Sequence, residues 1–438
     1  MSVDACVAPL SSLIELESGL NPVPPFLRLP EDVKSLVLRF HAGVFKDDPA
    51  LFVLNRRLAT RVCASWRAAS LNDVLLWSHV YLTALSHRGD IAYTIGRGRK
   101  ADLSVHIYLD SIPAPDFFAW LDMILSSLLP RCVELTLSSP DQMLSLTLMR
   151  RLARLSALCV RVLLLDIAPS SLGRVLPLLF EGSIPSLHTF TMQSGFVFWP
   201  DAPYFRNLRD LRLFDLDYPT IQDVLDLLRS CPRLVHLQLH SLRCMNAPPS
   251  NGTPLVLLHL THLRITKLLD TTIPLLPLVS FPALKTLYLE VDDDSDLQNV
   301  YASWKPLLEV VTSAILSIET GSVNFISGLL AQMPSIRRLD LRPCCPFMAS
   351  AFCFIARFRP CIPHARVVIL SGWLSPDNLQ DIFLADNRRC GSDALHLLLP
   401  RKHTNQVLLM DCFAEAGTVR NHAVLYPIDY WADPVLAA

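Results

Sequence analysis

The chain has little glycine, few charges and no long apolar run. Of its 438 residues 14 are Gly, against 33 Pro. Scarce glycine excludes long flexible linkers, and frequent proline points to many short, stiff connections. Charged residues make up 18% and the formal net charge is −1. No global field therefore favours nucleic acid or an anionic membrane. Hydrophobic residues reach 51%, with mean hydropathy +0.35. Even so, no stretch approaches the roughly 20 apolar residues that a spanning helix needs. Ala157–Ala168 is interrupted by Arg161 and Asp166, and Leu255–Leu260 is short. The first ten residues lack the basic start and apolar core of a secretory signal. The expectation is a cytoplasmic and/or nuclear protein without membrane contact, its 12 Cys held as thiols.

Catalytic and ligand motifs are equally sparse. There is no Gly-x-Ser-x-Gly elbow and no Cys/His family signature. Gly96–Lys100 lacks the lysine-bearing phosphate cradle and reads as a basic turn. Val291–Asp296 is acid-rich but lacks the spacing and distal Glu of a calcium loop. Cys344, Cys345, Cys353, Cys361 and His364 contain no CxxC pair. His236 and His262 fall in register on neighbouring strands, but a metal site needs three or four ligands. The expectation is a non-enzyme with no metal, no cofactor and no nucleic-acid partner.

What the chain does have is a repeat. The pattern apolar-x-x-apolar-x-apolar recurs at Leu208/Leu211/Leu213, Leu234/Leu237/Leu239, Leu260/Leu263/Ile265, Leu284/Leu287/Leu289 and Ile336/Leu339/Leu341. Looser copies are Ser104/Ile107/Leu109, Cys132/Leu135/Leu137, Val160/Leu163/Leu165, Leu187/Phe190/Met192, Ser313/Leu316/Ile318, Ala365/Val368/Leu370 and Ala394/Leu397/Leu399. The mean step of about 26 residues lies in the roughly 20–29 range of leucine-rich repeats. Thr220–Leu228 reads as a helix, with Thr220 as N-cap, Asp223 at N3, and Ile221, Val224, Leu225 and Leu228 on one face. A strand–helix unit cannot bury its apolar face alone, so the units must stack into a curved solenoid over residues 100–412. Alternation sends the aliphatics inward and the intervening residues onto the concave sheet face. The candidate target-binding residues there are Arg212, Phe214, His236, Gln238, His240, His262, Arg264, Tyr288, Glu290, Arg338, Asp340 and Arg342. Aromatic and Arg side chains on a rigid sheet suit recognition of a protein target.

Residues 24–82 read differently. A rigid proline-rich lead-in reaches Leu29-Pro30, and Val33, Leu36, Val37 and Phe40 follow at helical spacing. A second helix starts near Pro49 and carries Leu51, Leu54, Leu58, Val62 and Trp66 on one face. A third follows Asn72, a plausible N-cap, and V-Y-L after Trp77 is a strand candidate.

L-P-E-D-V, V-C-A-S-W-R and L-L-W-S-H-V-Y-L together resemble an F-box, in the form found in fungal F-box-like proteins with C-terminal leucine-rich repeats. Two departures are a longer first inter-helix loop, His41–Asp48, and one extra residue between Trp66 and Trp77. The resemblance implies an α/β chain: a small three-helix F-box-like domain, then a leucine-rich-repeat solenoid. It implies binding to a Skp-type adaptor, and through it a cullin scaffold, in an SCF-type ubiquitin ligase. Carried over by position, the adaptor contacts are Leu29, Pro30, Val33, Val37, Val62 and Trp66, while Cys63 and Trp77 look internal. Residues 1–23 would be an N-terminal extension, and 413–438 a C-terminal cap or tail. The alternative is a leucine-rich-repeat interaction scaffold with no ubiquitin role.

Overall fold

The computed structural model describes residues 28–43, 48–98, 100–111, 113–114, 116–168, 179–193, 203–245, 254–267, 273–293, 304–320, 328–343, 364–365, 367–370, 396–400 and 427–428. The N-terminal extension, most of the C-terminal tail and the cysteines between 344 and 361 lie outside the described residues.

The N-terminal unit is helical. Helix α1 spans Glu31–Gly43, α2 Pro49–Ala59 and α3 Ala64–Asn72, with a 3-10 turn at Val74–Trp77. Asp48 caps α2 by accepting from the Leu51 amide at 2.9 Å, with Pro49 at the first helical position. The continuous helix expected through Val62 and Trp66 is broken. Thr60 and Arg61 donate their amides back to Arg57 and Leu58, closing α2, and Cys63 adopts an extended conformation as N-cap of α3. Val62 therefore lies in the turn between helices and Trp66 in the first turn of α3. Asn72 closes α3 instead of capping the next segment. That cap is Asp73, whose carboxylate accepts from Leu75 and Leu76.

Strands alternate with outer segments from residue 79 onward. They are β1 His79–Thr83, β2 Leu103–Tyr108, β3 Cys132–Ser139, β4 Val162–Ile167, β5 Thr189–Gln193 and β6 Asp210–Phe214. After β7 (Asp217–Thr220) come β8 His236–His240, β9 Arg243–Met245, β10 Leu255–Val256, β11 His262–Thr266, β12 Val279–Ser280 and β13 Thr286–Asp293. The last are β14 Ser313–Thr320, β15 Arg338–Pro343, β16 Val367–Leu370, β17 His396–Pro400 and β18 Pro427–Ile428. Fourteen of them make one parallel sheet in the order β1-β2-β3-β4-β5-β6-β8-β11-β13-β14-β15-β16-β17-β18, while β7 pairs with β9 and β10 with β12. Strand follows strand in chain order, which makes the assembly solenoid-like. The strand β1, inside the segment read as the helical domain, is the first strand of this sheet.

Twelve apolar triplets mark expected strands, and the described residues of each fall on or directly beside a strand of the sheet, Ala394 lying outside the described residues. Two are out of phase. Registration of Leu287 with Ala314 and Leu289 with Leu316 makes Val311/Ala314/Leu316 the true copy in β14. Pairing of Val105 with Leu135 and Ile107 with Leu137 likewise shifts the β2 copy by two residues. A two-residue slip leaves the same side chains facing inward, so alternation alone does not detect it.

One sheet face is buried. Leu211, Leu213, Leu237, Leu239, Leu263 and Ile265 join a single core with the outer helices α5 (Phe117–Leu128), α6 (Gln142–Leu152) and α7 (Ile221–Arg229). Each such aliphatic contributes about 1.5–3 kcal/mol on burial. Helix α7 has the expected cap: Thr220 Oγ1 accepts from the Asp223 amide at 3.1 Å and the Asp223 carboxylate accepts from the Thr220 amide at 2.9 Å. Elsewhere the outer layer is often a 3-10 turn, as at Pro203–Asn207 and Ile273–Leu278. Helix α4 (Arg88–Gly98) takes in Gly96 and Gly98, so the basic stretch expected as a turn begins inside a helix.

The period is also written in the backbone. Asp215, Ser241 and Lys267 stand at equivalent positions after β6, β8 and β11, each with φ near 49–50°. The left-handed conformation is unfavourable for non-glycine residues, yet it recurs because the chain must leave the sheet at the same place in each unit.

Candidate interaction surfaces

The helical unit has two faces of different character. Toward the sheet, Arg56 is buried. Its guanidinium donates to the His79 carbonyl and to Thr94 Oγ1, both at 3.0 Å, and lies 4.7 Å from the Trp77 ring centroid. Burial pushes it down to about 10, still far above neutrality, so the charge is retained. Phe52 of α2 packs on Tyr81 at 4.9 Å and on His79 at 5.6 Å, and Tyr81 stacks on His106 at 4.6 Å. His79 and Tyr81 alternate along β1 with Val80 and Leu82, which belong to the main core. Helix α2 therefore packs on the opposite, open face of the sheet at its first strand. The core of the unit is Leu38, Ala42, Phe52, Ala69, Leu76, Trp77 and Tyr81.

Away from the sheet the unit is apolar and exposed. The buried stripe of α1 is Lys34, Leu38 and Ala42, with the Lys34 ammonium held by Glu31 and by Ser65 of α3. The apolar stripe read from the sequence faces outward instead: Leu36 is 61%, Val37 41% and Phe40 76% exposed. Val62 is also exposed, as are Leu51, Leu54 and Leu75. Of the six expected adaptor contacts, Pro30, Val37 and Val62 are exposed and Leu29 and Val33 half-buried. Trp66 is half-buried against the unit's own core. Cys63 is half-buried at its cap position, whereas Trp77 is internal, donating from Nε1 to the Ser70 carbonyl at 2.7 Å. Leu36 and Phe40 belonged to the stripe visible in the sequence. Leu51 and Leu54 are recognisable in the sequence only as residues of a helix face.

The open face of the sheet collects the other candidates. Register places His236 beside Asp210 and His262, Gln238 beside Arg212 and Arg264, and Arg264 beside Tyr288. Arg212 chelates Asp210 at 2.7 and 3.2 Å. Phe214 lies 5.8 Å from His240, whose Nδ1 meets Thr266 Oγ1 at 2.6 Å. The His236 and His262 rings meet edge-on at 4.5 Å. Burial first, then His236 and Lys285, hold the His262 imidazole below its ordinary range.

Tyr288 is the hub of the far half. Arg264 lies 4.3 Å and Arg342 5.8 Å from its ring centroid, and its hydroxyl donates to Glu290 at 3.1 Å. Burial and Glu290 push the phenol up. Asp340 accepts from Arg342 at 3.0 and 3.1 Å. Tyr288 and Asp340 are themselves covered; they hold Arg264 and Arg342 in place, while Arg338 is exposed. Among the described residues, no group of three His, Cys, Asp or Glu is placed to hold a metal, and no helix is long and apolar enough to cross a membrane.

Fold and surfaces together define a mixed α/β, solenoid-like protein with a large parallel sheet, a polar open face and an apolar N-terminal helical unit. No known family model matches the chain, and no curated protein matches it.

Proposed function

We propose that this chain is the substrate-recognition adaptor of an SCF-type ubiquitin ligase. In this reading residues 24–82 are an F-box-like unit that binds a Skp-type adaptor, and through it a cullin scaffold. The sheet is a leucine-rich-repeat solenoid whose open face binds a protein target, in the cytoplasm and/or nucleus. The chain catalyses nothing; it raises the effective concentration of target lysines near a charged conjugating enzyme.

The observation that carries the reading is the outward apolar face of the helical unit. Of the fourteen large hydrophobic side chains exposed among the described residues, seven lie between Leu36 and Leu75. A concentration of this kind marks a protein-binding surface, and helices α1 and α2, the Val62 turn and Leu75 of the 3-10 turn supply it. Co-purification of the full chain with a Skp-type adaptor is the test. Val37→Asp with Phe40→Asp removes that association at least about tenfold, since burying a charge in an apolar contact costs several kcal/mol. Both side chains are exposed, so the fold survives the change. Undiminished adaptor binding by this variant, or none by the parent chain, rejects the assignment.

A second reading, an interaction scaffold whose helices only cap the solenoid, is favoured by the buried Arg56 and Phe52 contacts with β1 and α4. It is distinguished by a folded chain that binds no Skp-type adaptor.

A further inference from the structure

We propose that the N-terminal edge of the parallel sheet docks an extended acidic peptide segment of a partner protein. Because the strands are parallel, the residues at their starts fall along one edge. From β4 to β15 the positions just before the strands carry Arg161, His188, Arg209, Lys285 and Arg337, and Arg338 opens β15 where Asp210 opens β6, all six cationic or imidazole side chains being exposed. Neutral Val235, Thr261 and Thr312 occupy the remaining positions just before the strands, and no carboxylate does.

The backbone sets the spacing. The Arg161 carbonyl accepts from both His188 and Thr189, the Arg209 carbonyl from Val235 and His236, and the Lys285 carbonyl from Thr312 and Ser313, all at 2.8–3.0 Å. Each cationic residue is thereby pinned to its neighbour by the same paired bond. None of the six makes a side-chain ion pair among the described residues. The acids level with the strand starts beside this row are already engaged: Asp210 with Arg212, and Glu134, in register with Val162, with the Ser104 hydroxyl. On the opposite edge stand Asp110, Asp166, Asp215 and Glu290, with Lys267 among them.

Dimensions and chemistry favour a peptide. About seven strand steps of ~4.8 Å make a row of about 34 Å, which an extended chain of about ten residues covers. The row lacks Phe, Tyr and Trp side chains on which successive bases would stack, and the net charge of −1 supplies no long-range field for a polyanion. Complementary charge at such an edge fixes the orientation and on-rate of a partner. The Lys285 charge already reaches His262 at the neighbouring strand start, so that imidazole reports on anything neutralising the edge. This inference requires only the sheet; it stands or falls separately from adaptor binding by the helical unit.

The full-length chain is titrated with fluorescein-labelled decaglutamate at about 20 mM salt, where screening is weak. Saturable binding is expected, weakening at least about fivefold near 200 mM salt. Joint replacement by Arg161→Gln, Arg209→Gln, Lys285→Gln and Arg337→Gln weakens it at least about tenfold, each exposed pair contributing a modest share. Lys267→Gln with Arg61→Gln, exposed cations away from this edge, changes it less than about twofold. Circular dichroism confirms that both variants are folded, and the His262 ring proton shows an upward-shifted titration midpoint in the presence of decaglutamate. The proposal is overturned by an intact chain that does not bind decaglutamate at low salt, by equal losses in the two variants, by an unmoved His262 midpoint at saturation, or by tighter binding of an oligothymidylate of equal charge.

Discussion

His262 shows how one register choice sets the chemistry of a side chain. Pairing β8 with β11 brings its ring against His236 and leaves it half-buried on the open face. Two imidazoles in edge contact and a nearby ammonium disfavour a further positive charge. Burial is the leading cause, followed by His236 and Lys285, and all three lower the His262 pKa. A histidine whose folded pKa lies below its unfolded value binds fewer protons when folded. Its contribution is intact above the ordinary value near 6.5 and is lost as pH falls from there through the depressed folded value. Thermal unfolding followed from pH 7.5 to roughly 5 should therefore show a falling Tm. His262→Gln, which keeps a polar group beside Thr261, makes that fall shallower. Parallel curves for the two proteins would mean that other groups carry the acid sensitivity.

At the scale of elements, α7 is the best-specified piece of the outer layer. Thr220 and Asp223 each satisfy the other's backbone amide, and Ile221, Val224, Leu225 and Leu228 face the core. Thr220→Ala removes one half of this exchange and should cost about 1 kcal/mol, read as a lower urea midpoint at unchanged slope. A loss below about 0.3 kcal/mol would show that core contacts alone fix the helix start. This helix was legible from sequence because cap, acid and apolar face agreed. The strands were legible too, since alternation over five or six residues is a strong signal. The phase of β2 and β14 was not, because a slip of two preserves alternation. The break between α2 and α3 was also hidden: Leu58, Val62 and Trp66 continue the helical spacing across Thr60–Cys63, where neither Gly nor Pro intervenes. The orientation of α1 escaped for a different reason. Its apolar stripe would ordinarily face the core, but Lys34 turns inward through its bonds to Glu31 and Ser65, leaving Val37 and Phe40 outside. Among the candidate site residues, the faces of the sheet strands were readable from alternation. The burial of Tyr288 and Asp340 depended on cross-strand partners that no local pattern contains.

Across the whole molecule, neighbouring strands repeat the same junction. The residue before a strand offers one carbonyl to two consecutive amides of the following unit, as Arg209 does for Val235 and His236, and as Val235 does for Thr261 and His262. The residue after a strand turns left-handed, as at Asp215 and Ser241. A fold with identical junctions tolerates loss of one full period, because each unit contacts mainly its neighbours. Deleting Asp210–Val235 joins Arg209 directly to His236 and brings β8 beside β5. Leu237 and Leu239 then meet Phe190 and Met192, the partners that Leu211 and Leu213 have now. The lost ion pair Asp210–Arg212 was internal to the deleted unit, and α7 is removed with the strand it covers. Such a chain should keep one cooperative transition with Tm lowered by roughly 5 °C, about what 2 kcal/mol does in a large domain. Deleting Asp210–Gln222 instead leaves Asp223–Arg229, most of α7 without its cap, where a strand must start, and should abolish cooperative melting. Calorimetry of the two deletions decides the matter: comparable damage from both would mean that the units are not interchangeable, and that the 26-residue spacing of Asp215, Ser241 and Lys267 does not reflect independent stacking.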